Sequence, residues 1–213
     1  MRTDDLVAML AADAGPVAPE ATARRYAVAL GLGALGAALL MVGLLGLRAD
    51  LTEAALFPMF WIKLAFPACL AAAALYATAR LSRPGVRLGQ VPAAIAAPVL
   101  VIWVMGAYAL AGAEASERTA LLLGETWNEC PFNIALLSMP AFAAFLWAMK
   151  GLAPTRLALA GAAAGLLSGA VGALVYSLHC PEMEAPFLGV WYLLGMLAPA
   201  IAGALIGPRL LRW

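Results

Sequence analysis

The chain has 213 residues, 65% of them hydrophobic and 12% charged, with a formal net charge of +1. A soluble domain carries about a quarter charged residues, so this composition belongs to a chain that folds in lipid. The Lys and Arg residues are too few and too scattered to build a phosphate-tracking stripe, which excludes direct nucleic-acid binding.

The first segment, residues 1–25, carries Asp4, Asp5, Asp13 and Glu20. A secretory signal opens basic and leads at once into a short apolar run, so no cleavage is expected here. Thr3-Asp4-Asp5-Leu6 reads as a helix start, with a capping hydroxyl and acids in the first turn, and Gly15-Pro16 as its stop. Leu6, Met9 and Leu10 share one face. A helix of about 11 residues is marginal alone in water, so it is expected to order by docking. The candidate surfaces are a partner, the protein's own loops or the membrane, and an acidic segment is a poor match to an anionic leaflet.

Apolar stretches long enough to cross about 30 Å of hydrocarbon follow at 26–47, 57–79, 91–111, 131–149, 156–178 and 187–206. Ala, Leu and Gly dominate them and barrel-type alternation is absent, so helices are expected. The fold class is all-α: a six-helix transmembrane bundle, 26–213, behind a short cytoplasmic N-terminal segment. Arg2, Arg24, Arg25, Arg80, Arg83, Arg87, Lys150, Arg156, Arg209 and Arg212 fall on one set of termini and loops, against Arg48 and Arg118 on the other. Basic residues resist translocation, which puts both termini in the cytoplasm of a bacterial inner membrane. The external loops are acidic, and the largest, 112–130, is too small to be a domain.

Gly161, Gly165 and Gly169 leave one face of the fifth span nearly bare, so tight packing against a neighbouring helix is expected. Weaker versions stand in the first and sixth spans. Pro58, Pro67, Pro98, Pro140 and Pro199 sit within spans and predict bends. Trp61, Trp127, Trp191, Tyr192 and Trp213 fall near span ends, as interfacial anchors do.

Cys130 opens the fourth span and Cys180 closes the fifth, both on the external side and both followed by proline. Those spans form an antiparallel hairpin, so their outer ends should lie close together. Three readings stand open: a disulfide or redox switch in an oxidising compartment, metal binding, and inert buried thiols. The metal reading draws on His179, Glu129 and Glu182, with Glu184 beside them, though no CxxC spacing supports it. Cys69, within the second span, is read as a small apolar filler. Lys63 lies about two turns into that span, where an ammonium either snorkels outward or meets an internal partner such as a loop glutamate.

The leader TDDLVAMLAADAGPVAP, FWIKLAFP around Lys63, WNECPFNIALLSMP, LALAGAAAGLLSGAVGALVYSLHCPE and FLGVWYLLG together resemble the NrsF family nearly end to end. The resemblance implies a six-helix inner-membrane anti-sigma factor that holds an extracytoplasmic-function sigma factor inactive. It further implies that Thr3, Asp4, Asp5, Leu6, Leu10, Asp13, Pro16 and Val17 bind the sigma factor, and that Cys130 and Cys180 form a signal-sensitive pair. Such a protein is not an enzyme, has the sigma factor and the bilayer as partners, and needs no cofactor beyond a transient metal ion at the periplasmic cysteines. Two other classes compete. A membrane thiol–disulfide oxidoreductase needs a second, CxxC-like pair, and a small transporter needs more intramembrane polar groups than Lys63.

Overall fold

With no water in a bilayer core, backbone N–H and C=O groups must bond internally, and an Ala/Leu/Gly-rich chain does so by coiling. The computed structural model describes residues 2–12, 21–152 and 154–212, so Asp13, Gly15, Pro16, Val17, Glu20 and Trp213 lie outside the described residues. In chain order the helices are α1 (Thr3–Ala12), α2 (Ala21–Leu44), α3 (Leu51–Ala54), α4 (Pro58–Leu81), α5 (Val91–Gly112), α6 (Arg118–Leu123), α7 (Cys130–Lys150) and α8 (Leu157–Tyr176). A last long helix, Ala185–Leu210, is α9 (Ala185–Phe187), a π-helical turn (Leu188–Tyr192) and α10 (Leu193–Leu210) run together.

Six of these are long and apolar enough to cross a membrane, in agreement with the spans expected from hydropathy. The first begins at Ala21, so Arg24 and Arg25 are helical. Pro58 proves to be the first residue of α4, where its missing N–H would have had no intrahelical partner, while Pro67, Pro98, Pro140 and Pro199 are truly interior. The short helices α3 and α6 and the π turn have no counterpart in the expected pattern.

Helix α8 is the most enclosed span and lies against α10, α7, α4 and α2. Its bare face meets α10, not a second molecule. A Cβ added at Gly161 would fall 2.0 Å from the Gly203 carbonyl oxygen, and one at Gly165 would fall 2.0 Å from that of Pro199. The two backbones touch, which only glycine permits. At the end bearing the termini, the Tyr26 hydroxyl of α2 bonds the Ser82 hydroxyl and donates to the Thr78 carbonyl, tying α2 to the end of α4. Antiparallel succession puts both cysteine-bearing segments at the opposite end.

Candidate functional site: a buried thiol pair at one end of the bundle

Cys130 is the first residue of α7, and its N–H donates to the Thr126 carbonyl at 2.9 Å. Cys180 follows α8 by one irregular turn, with its N–H on the Tyr176 carbonyl at 3.0 Å. Both side chains are fully buried, both thiols are free, and they lie close enough for each to shift the ionisation of the other. The hairpin of α7 and α8 thus brings together the two cysteines that stand 50 positions apart in the sequence. Cys69, by contrast, sits on the outer surface of α4.

Lys63, in the second turn of α4, is fully buried and its ammonium does not reach solvent. Its Nζ donates to the carbonyl oxygens of Cys180 at 2.6 Å and Glu182 at 2.7 Å, and it stands 5.5 Å from the Tyr192 ring centre. Two carbonyl acceptors and an aromatic face offset part of the cost of removing an ammonium from water. Its partners are backbone carbonyls of the loop after Cys180, not a glutamate side chain. The adjacent Cys130 thiol, and after it the nearby Lys63 charge, hold the Cys180 thiol below the usual thiol range.

A second cation braces the same carbonyl. Arg48, just beyond α2, donates to the Cys180 carbonyl at 3.3 Å and forks onto both Asp50 oxygens at 2.7 and 2.6 Å. That fork holds the exposed Asp50 carboxyl down to about 2.

The remaining expected donors point elsewhere. The His179 Nδ1–H donates to the Gly46 carbonyl at 2.9 Å, and Glu129 is exposed at the start of α7. Glu182 turns its Oε1 onto the N–H of Glu125 at 2.7 Å and of Thr126 at 3.2 Å. Among the described residues no three His, Cys, Asp or Glu side chains are placed to hold a metal ion. The donor set therefore does not fit a metal, and no step is derived through one.

Sequence reasoning overlooked Tyr192 as a site residue and assigned it to an interface. The π turn inserts an extra residue into one helical turn and places Tyr192 inside, fully buried, its ring 5.9 Å from that of Tyr176. Its hydroxyl has no close hydrogen-bond partner among the described residues and faces Cys180 and Ser177. No periodicity signal marks such a turn. Gly124, also overlooked, was detectable as the one glycine in the middle of the longest loop.

Over the loop, an outer cleft of about 590 Å³ is floored by Pro181, Glu182, Met183 and Glu184 and walled by Arg48, Glu53 and Glu125. At the other extremity of the chain, every described residue of α1 is exposed, including Leu6, Val7, Met9 and Leu10. Thr3, Asp4, Asp5, Leu6 and Leu10 all lie on this helix, the two acids in its first turn.

The family model described as "Negative regulator of sigma F" matches residues 10–213. A protein of Azospira oryzae named probable anti-sigma-F factor NrsF is 58% identical over the full length of both chains. The anti-sigma-F factor NrsF of Caulobacter vibrioides is 45% identical, again over the full length of both. No solved structure matches this chain.

Proposed function

The chain belongs to the NrsF family of negative regulators of sigma F, and from that premise we propose that it anchors a sigma factor to the bacterial inner membrane and releases it on an envelope redox signal. The sigma factor is of the extracytoplasmic-function class, and both termini of the anchor are cytoplasmic, as the distribution of Arg and Lys argues.

The observation that carries the reading is the end-to-end likeness to two named anti-sigma factors. It is supported by α1, a short helix with acids in its first turn and exposed apolar side chains. Such a segment gains order by laying its apolar face in a partner's groove. Leu6 and Leu10, one turn apart, are the anchors, with Asp4 and Asp5 facing basic side chains on the sigma factor. Asp13, Pro16 and Val17 extend the same binding segment.

At the far end, Cys130 and Cys180 form the signal site. Joining them as a disulfide draws the start of α7 toward the loop after α8. The bundle then favours an arrangement in which the leader binds less tightly. Raising the free sigma fraction from about 1% to 99% takes about 5.5 kcal/mol of differential affinity between the two states. A smaller difference raises basal expression without a switch.

The test is co-purification from native membranes with and without residues 4–17, partners being identified by mass spectrometry. A sigma factor retained by the full chain and lost on deletion supports the reading, and its absence from the full chain under unstressed conditions refutes it. The oxidoreductase reading has one thiol pair where it needs two, and Lys63 is spent on backbone carbonyls, which leaves a transporter without an ionisable pathway group.

A further inference from the structure

Between the two cysteine-bearing segments runs a set of polar contacts that packing alone does not require. Gly124 stands at φ 57°, ψ −164°, a backbone region essentially reserved for glycine. A Cβ there would lie 2.7 Å from the Glu182 carboxylate carbon and from both of its oxygens. The missing side chain is what lets the carboxylate settle onto the turn. There Oε1 accepts from the N–H of Glu125 and Thr126, with the Thr126 hydroxyl at 3.4 Å. The Thr126 carbonyl in turn accepts from the Cys130 N–H, so the Glu182 side chain grips the turn that begins α7. The Glu182 main chain is held from the other side, because Lys63 binds the carbonyls of residues 180 and 182.

We propose that Glu182, seated on the Gly124 turn and anchored by Lys63, is a positioning residue that holds the Cys130 and Cys180 sulfurs opposed for disulfide formation. The inference rests on the thiol pair being the signal site and deepens that reading. The clasp joins three elements, α4, the α6–α7 turn and the loop after α8, at one residue adjacent to the pair. Without it, each sulfur sits on a separate segment end, and two reacting atoms displaced by about 1 Å lose up to about a hundredfold in rate.

The chemistry it serves is thiol–disulfide exchange with an external disulfide, RSSR. The thiolate of one cysteine attacks one sulfur of RSSR, the S–S bond breaks and RS⁻ departs. The second cysteine then attacks the protein sulfur of the mixed disulfide and expels the other RS⁻. The two thiol protons end on the two RS⁻ groups, so the protein loses two electrons and RSSR becomes two thiols. Both sulfurs are fully buried and neither lines the outer cleft, whose floor is residues 181–184, so the exchange requires that floor to open.

The experiment measures Cys130–Cys180 disulfide formation in native membranes exposed to oxidised glutathione, quenched with acid, alkylated and read by peptide mass. Glu182→Ala and Gly124→Ala are expected to slow it about tenfold or more, and Glu182→Gln, which keeps an acceptor oxygen, to stay within about threefold of the native rate. Lys63→Met tests the anchor. If that variant fails to insert, the other two still decide. Alkylation rates of each thiol, measured in single Cys→Ser backgrounds, must not fall in parallel, because a positioning residue changes the encounter of two sulfurs and not the reactivity of one. Native or faster disulfide formation in both Glu182→Ala and Gly124→Ala, or a parallel loss of single-thiol alkylation, overturns the proposal. Release of the sigma factor under oxidant from a Cys130→Ser, Cys180→Ser variant to the same extent as from the native chain would instead remove the signalling reading and leave the clasp standing.

Discussion

Replacing Gly165 by alanine adds one methyl group where the fold leaves no room. The new Cβ would lie 2.0 Å from the Pro199 carbonyl oxygen, 2.6 Å from its carbon and 2.7 Å from the Ala200 Cα. All three are backbone atoms, so no rotamer change gives way. Carbon and carbonyl oxygen tolerate approach only to about 3.3 Å, and α8 and α10 must part by on the order of 1 Å. Overpacking of this kind costs about 1–3 kcal/mol, against a gain of up to about 1 kcal/mol from the better helix propensity of alanine. Association of helices in lipid rests on close packing, and a shift of α10 loosens the contact at Gly161 and Gly169 as well. The net expectation is a destabilisation of about 1–2 kcal/mol, measured by reversible SDS titration in mixed micelles with tryptophan fluorescence. Gly43→Ala is the control, since nothing lies within 4 Å of its added Cβ. It should be neutral or slightly stabilising. If Gly165→Ala unfolds at the same SDS fraction as Gly43→Ala, the account of backbone contact between α8 and α10 is wrong.

Gly161→Ala combined with Gly203→Ala should cost less than the sum of the single changes, because each Cβ strikes the other residue's carbonyl and one separation relieves both; additivity in the same titration would argue against that. Tyr26→Phe removes the hydroxyl that joins α2 to Ser82 and Thr78 and is expected to cost about 1 kcal/mol, with no loss if the link is idle. Asp50, held down to about 2 by Arg48, has a folded pKa below its unfolded value. Its contribution is therefore present above about pH 4 and lost as pH falls toward 2, so Asp50→Asn and the native chain should differ in stability at pH 6 and converge near pH 2. A difference that persists at pH 2 would point to a role other than the ion pair.

Hydropathy and charge alone reached the six spans, their order and the acidic character of the loops at the cysteine end, because the length of an apolar run is set by the thickness of the hydrocarbon and each span is legible without its neighbours. The closeness of Cys130 and Cys180 followed from the same logic, since a short connection makes consecutive spans antiparallel neighbours. The glycine repeat of α8 announced a bare face. Which helix would cover it depends on how all six spans share the interior, and only the bundle assigned it to α10.

The surroundings of the thiols were decided elsewhere. Lys63 is 117 positions from Cys180 and bonds main-chain carbonyls, groups that every residue carries and that no side-chain pattern reveals. Tyr192 turns inward because a single π turn shifts the register of one helix, a local hydrogen-bonding choice worth one residue and silent in the periodicity of an apolar span. Glu182 found neither metal nor thiol but two backbone N–H groups, made reachable by the left-handed glycine opposite it. The six spans were legible in the chain alone, since lipid acts on each segment separately. Tertiary structure decided the site, since its polar contacts join four segments that share nothing until the helices have packed.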